Sequence, residues 1–239
     1  MRTLIIPDLH HHTDEAEDVI ARIPADRVVF LGDYFDNFGD TPEVAARTAR
    51  WLRDSLGKAD RVHLFGNHDL PYAFPRNASL YCPGWTPEKN AAVGEVLRAH
   101  HWAQLRLLHL DGRFALCHAG LSPDLFAHPL AGIDPDRVAQ RCAEALDHAR
   151  AKIPDPALGW GLGMDDPRAG ITWLRWWLLP VSPPLCQIVG HTPARGLRVE
   201  RGGGCFNVCL DTFGEYVGLI DGSDFFAVRT GDGEAERIF

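Results

Sequence analysis

Residues 28–36 read Val-Val-Phe-Leu-Gly-Asp-Tyr-Phe-Asp, an apolar run that ends at Gly32 and is followed by Asp33 and Asp36. A β-branched and aromatic run of this length predicts a buried strand, and the glycine lets the backbone turn sharply after it. Similar apolar runs stand at 3–6 and 61–65, and helical patterns separate the three. This β-α-β-α-β order predicts a parallel sheet with right-handed crossovers.

The second half of the chain carries antiparallel signals. Asp111-Gly112 separates two apolar runs, which predicts a hairpin. One further helix is expected to start near Thr86-Pro87, and another to run from Asp134-Pro135 to about Arg150. A buried strand is expected at 185–189, and a closing antiparallel meander at 206–210, 216–220 and 225–229. We therefore expect an α/β protein with two packed mixed sheets flanked by helices, forming a single domain over residues 1–239.

Five of the predicted strands are each followed at once by polar side chains of similar chemistry. These side chains are Asp8 and His10, Asp33 and Asp36, Asn67 and His68, His118, and His191. Any one of them alone is better explained as a turn, a helix cap or a surface residue. Five such junctions together indicate a shared site, because ligands bind at the carboxyl ends of strands in open α/β sheets.

The donor types in this set favour divalent metal ions. Asp8 and His10 are two residues apart, so an extended backbone points both side chains the same way. Carboxylate, amide and imidazole donors without a thiolate suit Mn²⁺, Fe or Zn²⁺. Six donors exceed the needs of one tetrahedral ion, and with Asp33 bridging they fit two ions about 3.5–4 Å apart. The sequence thus predicts a dinuclear site.

These motifs resemble those of the calcineurin-like metallophosphoesterase superfamily. The resemblance rests on Asp8-x-His10, Gly32-Asp33-x-x-Asp36, Gly66-Asn67-His68-Asp69, His118 and Gly190-His191, and it extends from residue 8 to about residue 193. The segment 117–125, Cys-His-Ala-Gly-Leu-Ser-Pro-Asp-Leu, is similar to a motif of the protein-phosphatase-like branch, and the segment 173–175, Trp-Leu-Arg, is similar to a Trp-x-Arg motif of its bacterial members. The resemblance implies a four-layer α/β/β/α sandwich.

The resemblance also implies a role for each residue. Asp8 and His10 would hold the first metal, Asp33 would bridge, and Asn67, His118 and His191 would hold the second. His68 would donate a proton to the leaving group, oriented by Asp36, and Arg175 would bind the substrate phosphate. Without the family pattern, Arg175 would be a surface residue of an aromatic stretch.

Two positions depart from the protein-phosphatase pattern. Asn37 stands where that branch has a phosphate-binding Arg, and His11 stands where it has Gly. The loss of an Arg weakens the recognition of a phosphomonoester, because an amide carries no charge. Among the neighbouring residues, we expect His11 and His12 to be solvated and Thr13 to cap a helix. We expect Asp211 to form a turn and Asp69 to support a neighbouring ligand or cap a helix.

Composition limits the partners and the location. The net charge of −8 and the absence of a basic stripe argue against tight binding to duplex nucleic acid. The sequence contains neither a signal peptide nor an apolar run long enough for a membrane span, so we expect a cytoplasmic protein. The six cysteines lack disulfide or CxxC spacing and are expected to be reduced core thiols.

Three functions remain open at this point. The first is hydrolysis of phosphate monoesters by a metal-activated water, with Mn²⁺ as the expected metal and a small molecule, nucleotide or phosphoprotein as substrate. The second is a phosphodiesterase or (di)nucleotide pyrophosphohydrolase at the same site. The third is a binding subunit without turnover, which normally requires the loss of a ligand or of the acid, and neither is missing here.

Overall fold

Two mixed β-sheets form the centre of the protein, in a computed structural model that describes residues 1–128, 132–159, 166 and 169–239. The first sheet has the strand order β13-β12-β11-β1-β2-β3. Its strands are β1 (Arg2–Ile6), β2 (Arg27–Phe30), β3 (Arg61–His63), β11 (Tyr216–Asp221), β12 (Asp224–Arg229) and β13 (Ala235–Arg237). The strands β1, β2 and β3 run parallel, as the sequence predicts, and β11 joins β1 antiparallel.

The second sheet has the order β4-β5-β8-β10-β9. Its strands are β4 (Leu108–Asp111), β5 (Phe114–Cys117), β8 (Cys186–Val189), β9 (Arg198–Gly202) and β10 (Cys205–Cys209). The hairpin predicted at Asp111-Gly112 is confirmed as the antiparallel pair β4–β5, and β5 and β8 run parallel. A two-stranded ribbon of β6 (Ala127–His128) and β7 (Gly132–Ile133) lies outside both sheets.

Helices cover the sheets. They are α1 (Thr13–Arg22), α2 (Pro42–Leu56), α3 (Leu70–Ala73), α4 (Pro87–Val96), α5 (Ala99–Trp102), α6 (Pro123–Phe126) and α7 (Pro135–Arg150). The last of these begins after Asp134, whose side chain accepts a hydrogen bond from the backbone N–H of Asp136. Thr13 is the first residue of α1 and makes no cap, contrary to the prediction, because His12 stands at that position.

Strand residues alternate between two apolar layers. On β1, Ile5 contributes to a layer that also contains Val29, Phe114 and Ile188 from both sheets, so this layer lies between the sheets. Leu4 and Ile6 face the other way and pack with helix residues such as Leu52 of α2. Successive side chains of a strand point to opposite faces, and the two layers therefore confirm the predicted sandwich of two sheets flanked by helices.

The predicted closing meander is wrong in one respect. The strand at 205–209 does not lie beside β11 but in the second sheet, where β10 pairs parallel with β8 and antiparallel with β9. All five residues of β10 are buried, as expected for a strand covered on both faces. β9, which the sequence reading missed, is largely polar and exposed and forms the edge of this sheet.

All six cysteines are free and buried. They are Cys82, Cys117, Cys142, Cys186, Cys205 and Cys209. This agrees with the expected core thiols. Among the helices in the described part of the chain, none has both the length and the apolar composition that a membrane crossing needs.

Candidate metal centre

The carboxyl ends of five strands meet between the two sheets. The first sheet delivers Asp8, His10, Asp33 and Asn67 after β1, β2 and β3, and the second delivers His118 and His191 after β5 and β8. The backbone N–H of His191 donates to Asp8 Oδ1 at 2.9 Å, which joins one sheet to the other. The ring of His118 makes a second link, since its Nδ1 lies 3.0 Å from the carbonyl oxygen of Leu31.

The donor atoms fall into two clusters that share one carboxylate. Asp8, His10 and Asp33 form the first, and Asp33, His118 and His191 form the second, with the donor atoms of each within 4.8 Å of one another. Asn67 adds its Oδ1, 3.0 Å from His118 Nε2. The structure thus brings all six predicted ligands together.

The orientation of the rings suits a cation. His118 Nδ1 donates to the carbonyl oxygen of Leu31, so in the neutral ring Nε2 carries the lone pair. This lone pair faces Asn67 Oδ1 at 3.0 Å and Asp33 Oδ2 at 3.3 Å. Two acceptors facing a lone pair need a proton or a metal ion between them. His191 Nε2 is likewise buried with no hydrogen-bond partner in the described protein. The donor set and this orphaned nitrogen fit a divalent metal.

The pKa values show a cluster with excess negative charge. Burial would lower the pKa of His118, but the carboxylates of Asp33 and Asp8 outweigh it and raise this pKa to about 9. Burial raises the pKa of Asp8, and burial together with the nearby His118 lowers that of His191. Without a cation, a proton on His118 offsets the carboxylates, so a proton and a metal compete for the same donors.

Several site residues have a strained backbone. His10, Asp33, Asp36 and His191 have φ values of 40°, 52°, 66° and 65°, in the left-handed region that non-glycine residues rarely adopt. Such strain costs about 1–3 kcal/mol per residue and is concentrated at functional sites. At Gly190, a side chain would collide with the carboxylate of Asp8, so only glycine allows that close approach.

Asp69 supports the loop after β2. Its carboxylate accepts hydrogen bonds from the backbone N–H groups of Asp33, Tyr34 and Gly66, each at 2.8 Å. It makes no side-chain cap to α3, although it directly precedes that helix. Of the two roles considered from sequence, the structure favours support of a neighbouring ligand.

The proposed acid and its partner lie beside the donor clusters. His68 Nδ1 is 3.1 Å from Asp36 Oδ2, and the rings of His68 and His10 are 5.3 Å apart. Arg175 reaches the same region, because its Nη1 lies 3.4 Å from the carbonyl oxygen of His191. Asn37 is exposed; its Oδ1 accepts from the backbone N–H of Phe38, and its Nδ2 donates to the carbonyl oxygen of His10 at 3.4 Å.

Two expectations for neighbouring residues were wrong. Only 8% of the His11 side chain is exposed, and its Nε2 lies 2.9 Å from Asp40 Oδ2, whereas His12 is exposed as expected. Asp211 does more than turn the chain. Burial, and then the charge of Asp8, raise its pKa to about 8.

Three residues near His68 were not predicted from the sequence as part of the site. Tyr72, Cys82 and Lys89 all lie within hydrogen-bond distance of Asp36 or His68. None follows a predicted strand, so the strand-end signal gave no indication of them.

The sequence is similar to that of a known protein family. The family model "Calcineurin-like phosphoesterase" matches residues 1–215. No curated protein matches the sequence.

Solved structures with a similar fold include phosphatases. A cold-active protein-tyrosine phosphatase of a psychrophilic Shewanella is 14% identical, with a TM-score of 0.57 over 100% of this chain and 80% of that chain. A protein serine/threonine phosphatase from Saccharomyces cerevisiae is 17% identical, with a TM-score of 0.50 over 99% of this chain and 78% of that chain. At these identities the likeness shows the fold alone.

Proposed function

Because the chain belongs to the calcineurin-like phosphoesterase family and is a hydrolase of phosphate esters, we propose that it hydrolyses phosphate monoesters at a dinuclear metal centre. The observation that supports this most directly is the grouping of six donor residues in two clusters that share Asp33, with the His68–Asp36 pair at their side. The cations are proposed to be Mn²⁺, with Fe or Zn²⁺ as the other candidates for this donor set.

In this proposal the donors divide into two sets. Asp8 and His10 would hold one cation, Asn67, His118 and His191 would hold the other, and Asp33 belongs to both sets. Two divalent cations there would lower the pKa of a bound water towards neutrality and would offer positive charge to the phosphoryl oxygens.

His68 is the proposed general acid. Its Nδ1 is engaged by Asp36 Oδ2 at 3.1 Å, which leaves Nε2, on the far side of the ring, to give its proton to the leaving oxygen. Asp36 holds the ring in this orientation. The side chain of His68 is 21% exposed, so substrate has access to it, whereas that of Asp36 is only 2% exposed.

Arg175 is the proposed phosphate-binding residue. Its guanidinium lies next to His191, and a planar, permanently charged group can bind two phosphoryl oxygens at once. Asn37 cannot add a second positive charge. This difference favours a second candidate function, hydrolysis of a phosphodiester or of a (di)nucleotide pyrophosphate, which carries less charge on each phosphorus.

One experiment compares these two functions. The purified protein with Mn²⁺ is assayed on nitrophenyl phosphate, bis(nitrophenyl) phosphate and a dinucleotide, and kcat/KM is measured for each. We expect the monoester to be preferred. A clear preference for the diester or the dinucleotide would replace the first proposal with the second.

A further inference from the structure

Lys89 is a buried cation behind the proposed acid. It lies on α4, is only 3% exposed, and is one of three lysines in the chain, of which Lys58 and Lys152 are exposed. Its ammonium lies 2.7 Å from Asp36 Oδ1 and 2.9 Å from both oxygens of Asp40. Burial of an ammonium is costly, and two carboxylates within hydrogen-bond distance offset that cost.

The charge of Lys89 is maintained by these contacts. Burial would lower its pKa, but the hydrogen bonds from Asp36 and Asp40 outweigh that effect and raise the pKa above its usual value. Lys89 is therefore an ammonium across the working pH range. It donates hydrogen bonds and cannot accept one.

The Lys89 ammonium helps to fix the orientation of the Asp36 carboxylate. Asp36 Oδ1 accepts from Lys89 and from the Tyr72 hydroxyl at 2.6 Å, whereas its Oδ2 faces His68 Nδ1. Two donors on one oxygen fix the plane of the carboxylate. The other oxygen is thereby held against the imidazole.

The network continues to the loop that carries His10. The far carboxylate, Asp40, contacts His11 Nε2, and His11 Nδ1 lies 2.8 Å from Thr48 Oγ1 on α2. His11 directly follows His10 in the chain. Lys89 therefore connects the acid pair, through Asp40, to the side chain of the residue that follows a proposed metal ligand.

The geometry points to Lys89 as a positioning residue for His68, acting through Asp36. This inference rests on the proposed function, because it requires His68 to be the acid. Removal of the ammonium frees Asp36 to rotate, so the imidazole is no longer held in line with the leaving oxygen. The loss of kcat should therefore be large for esters whose leaving group needs a proton and small for esters whose leaving group does not.

The test is the dependence of kcat on the leaving group. Lys89→Met is compared with the exposed control Lys58→Met on phenyl phosphate and on dinitrophenyl phosphate, with manganese content measured for each protein. We expect kcat to fall about 10- to 100-fold for phenyl phosphate in Lys89→Met, as for other supporting residues, with much less loss for the activated ester. KM, metal content and the control variant stay near wild type.

A double-mutant cycle excludes a merely structural role. In the His68→Ala background, Lys89→Met should cause no further loss on phenyl phosphate, because it acts through that residue. Equal losses on both esters, or an additive loss in that background, would overturn the inference. If His68→Ala itself shows no leaving-group selectivity, the proposed role of His68 fails instead, so the two failures are distinguishable.

A second variant guards against misfolding. Lys89→Met leaves Asp36 and Asp40 without their cation, and Lys89→Met/Asp40→Asn restores the net charge of the cluster. The leaving-group-selective loss should persist in this charge-balanced protein. A return to wild-type kcat on phenyl phosphate would show that only charge balance, and not the position of Asp36, depends on Lys89.

Discussion

Asp33 is the residue at which both donor clusters meet. Its carboxylate contacts His118 and lies 3.7 Å from His10 Nε2, and its backbone N–H is held by Asp69. Asp33→Asn keeps the size of the side chain but removes its charge, so we expect manganese content to fall to one ion per chain or fewer. Elemental analysis checks this, with the exposed Asp14→Asn as control. An unchanged metal count in Asp33→Asn would contradict the bridging role.

His68 is the second residue with a specific expected effect. His68→Ala should lower kcat by about 100-fold or more for phenyl phosphate and far less for dinitrophenyl phosphate, whose leaving group needs no proton. Metal content should not change, since no metal role is assigned to this side chain. The measurement is kcat on both esters, and equal losses would show that His68 is not the acid.

The sequence indicates site residues when they follow strands. Asp8, Asp33, Asn67, His118 and His191 each do so, and an apolar run that ends in a polar side chain is visible without a structure. Lys89 could not be found in this way. It lies on a helix, where lysine is normally solvated, and its burial depends on Asp36, which is 53 residues away.

At the scale of elements, the parallel strands and their helices were predictable and the later strands less so. The first two strands are clear apolar runs, each followed by an amphipathic helix, and local pattern is enough to identify them. The strand β10 has an equally clear apolar pattern, but that pattern does not indicate which of the two sheets the strand joins. Tertiary packing decides this. The polar edge strand β9 lacks an apolar pattern altogether, and only Gly203-Gly204 after it signals a hairpin.

A buried histidine joins β3 to α2 and makes this contact sensitive to acid. His63 Nε2 lies 2.9 Å from Ser55 Oγ, and its Nδ1 lies 3.0 Å from the Tyr34 hydroxyl. Burial, and then the nearby Arg61, lower the pKa of His63 to about 3. The ring is therefore neutral in the folded protein, while the unfolded chain takes up a proton below its ordinary pKa of 6.5.

Folding stability should therefore fall as pH decreases from about 6.5 towards 3, because the unfolded state binds the additional proton. At pH 5 this one group costs about 2 kcal/mol of unfolding free energy relative to neutral pH. His63→Gln should lose this part of the pH dependence, whereas the exposed control His100→Gln should keep it. Urea denaturation of the three proteins at pH 5 and pH 7 measures the difference. The same pH dependence in His63→Gln and wild type would assign the acid sensitivity to other groups.

For the whole molecule, the donor set spans both sheets. Cations bound there would hold the first sheet to the second, and a ligand that binds only the folded state stabilises it. We expect a chelator to lower the melting temperature of the metal-loaded protein by several degrees, with recovery when Mn²⁺ is added back. Asp33→Asn should respond much less to the chelator. A wild-type melting temperature that is indifferent to chelation would show that the donors contribute nothing to holding the sheets together.

The six buried thiols provide a way to follow how this molecule opens. Cys82 contacts His68, Cys142 lies on α7, and the other four thiols, Cys117, Cys186, Cys205 and Cys209, lie within the second sheet. An alkylating reagent can modify each sulfur only after its surroundings separate, and mass spectrometry of the digested protein records the order of modification. The labelling rate of each thiol therefore reports how often its surroundings open. Their labelling rates would reveal whether the acid loop, the helical layer or the second sheet exposes its interior first.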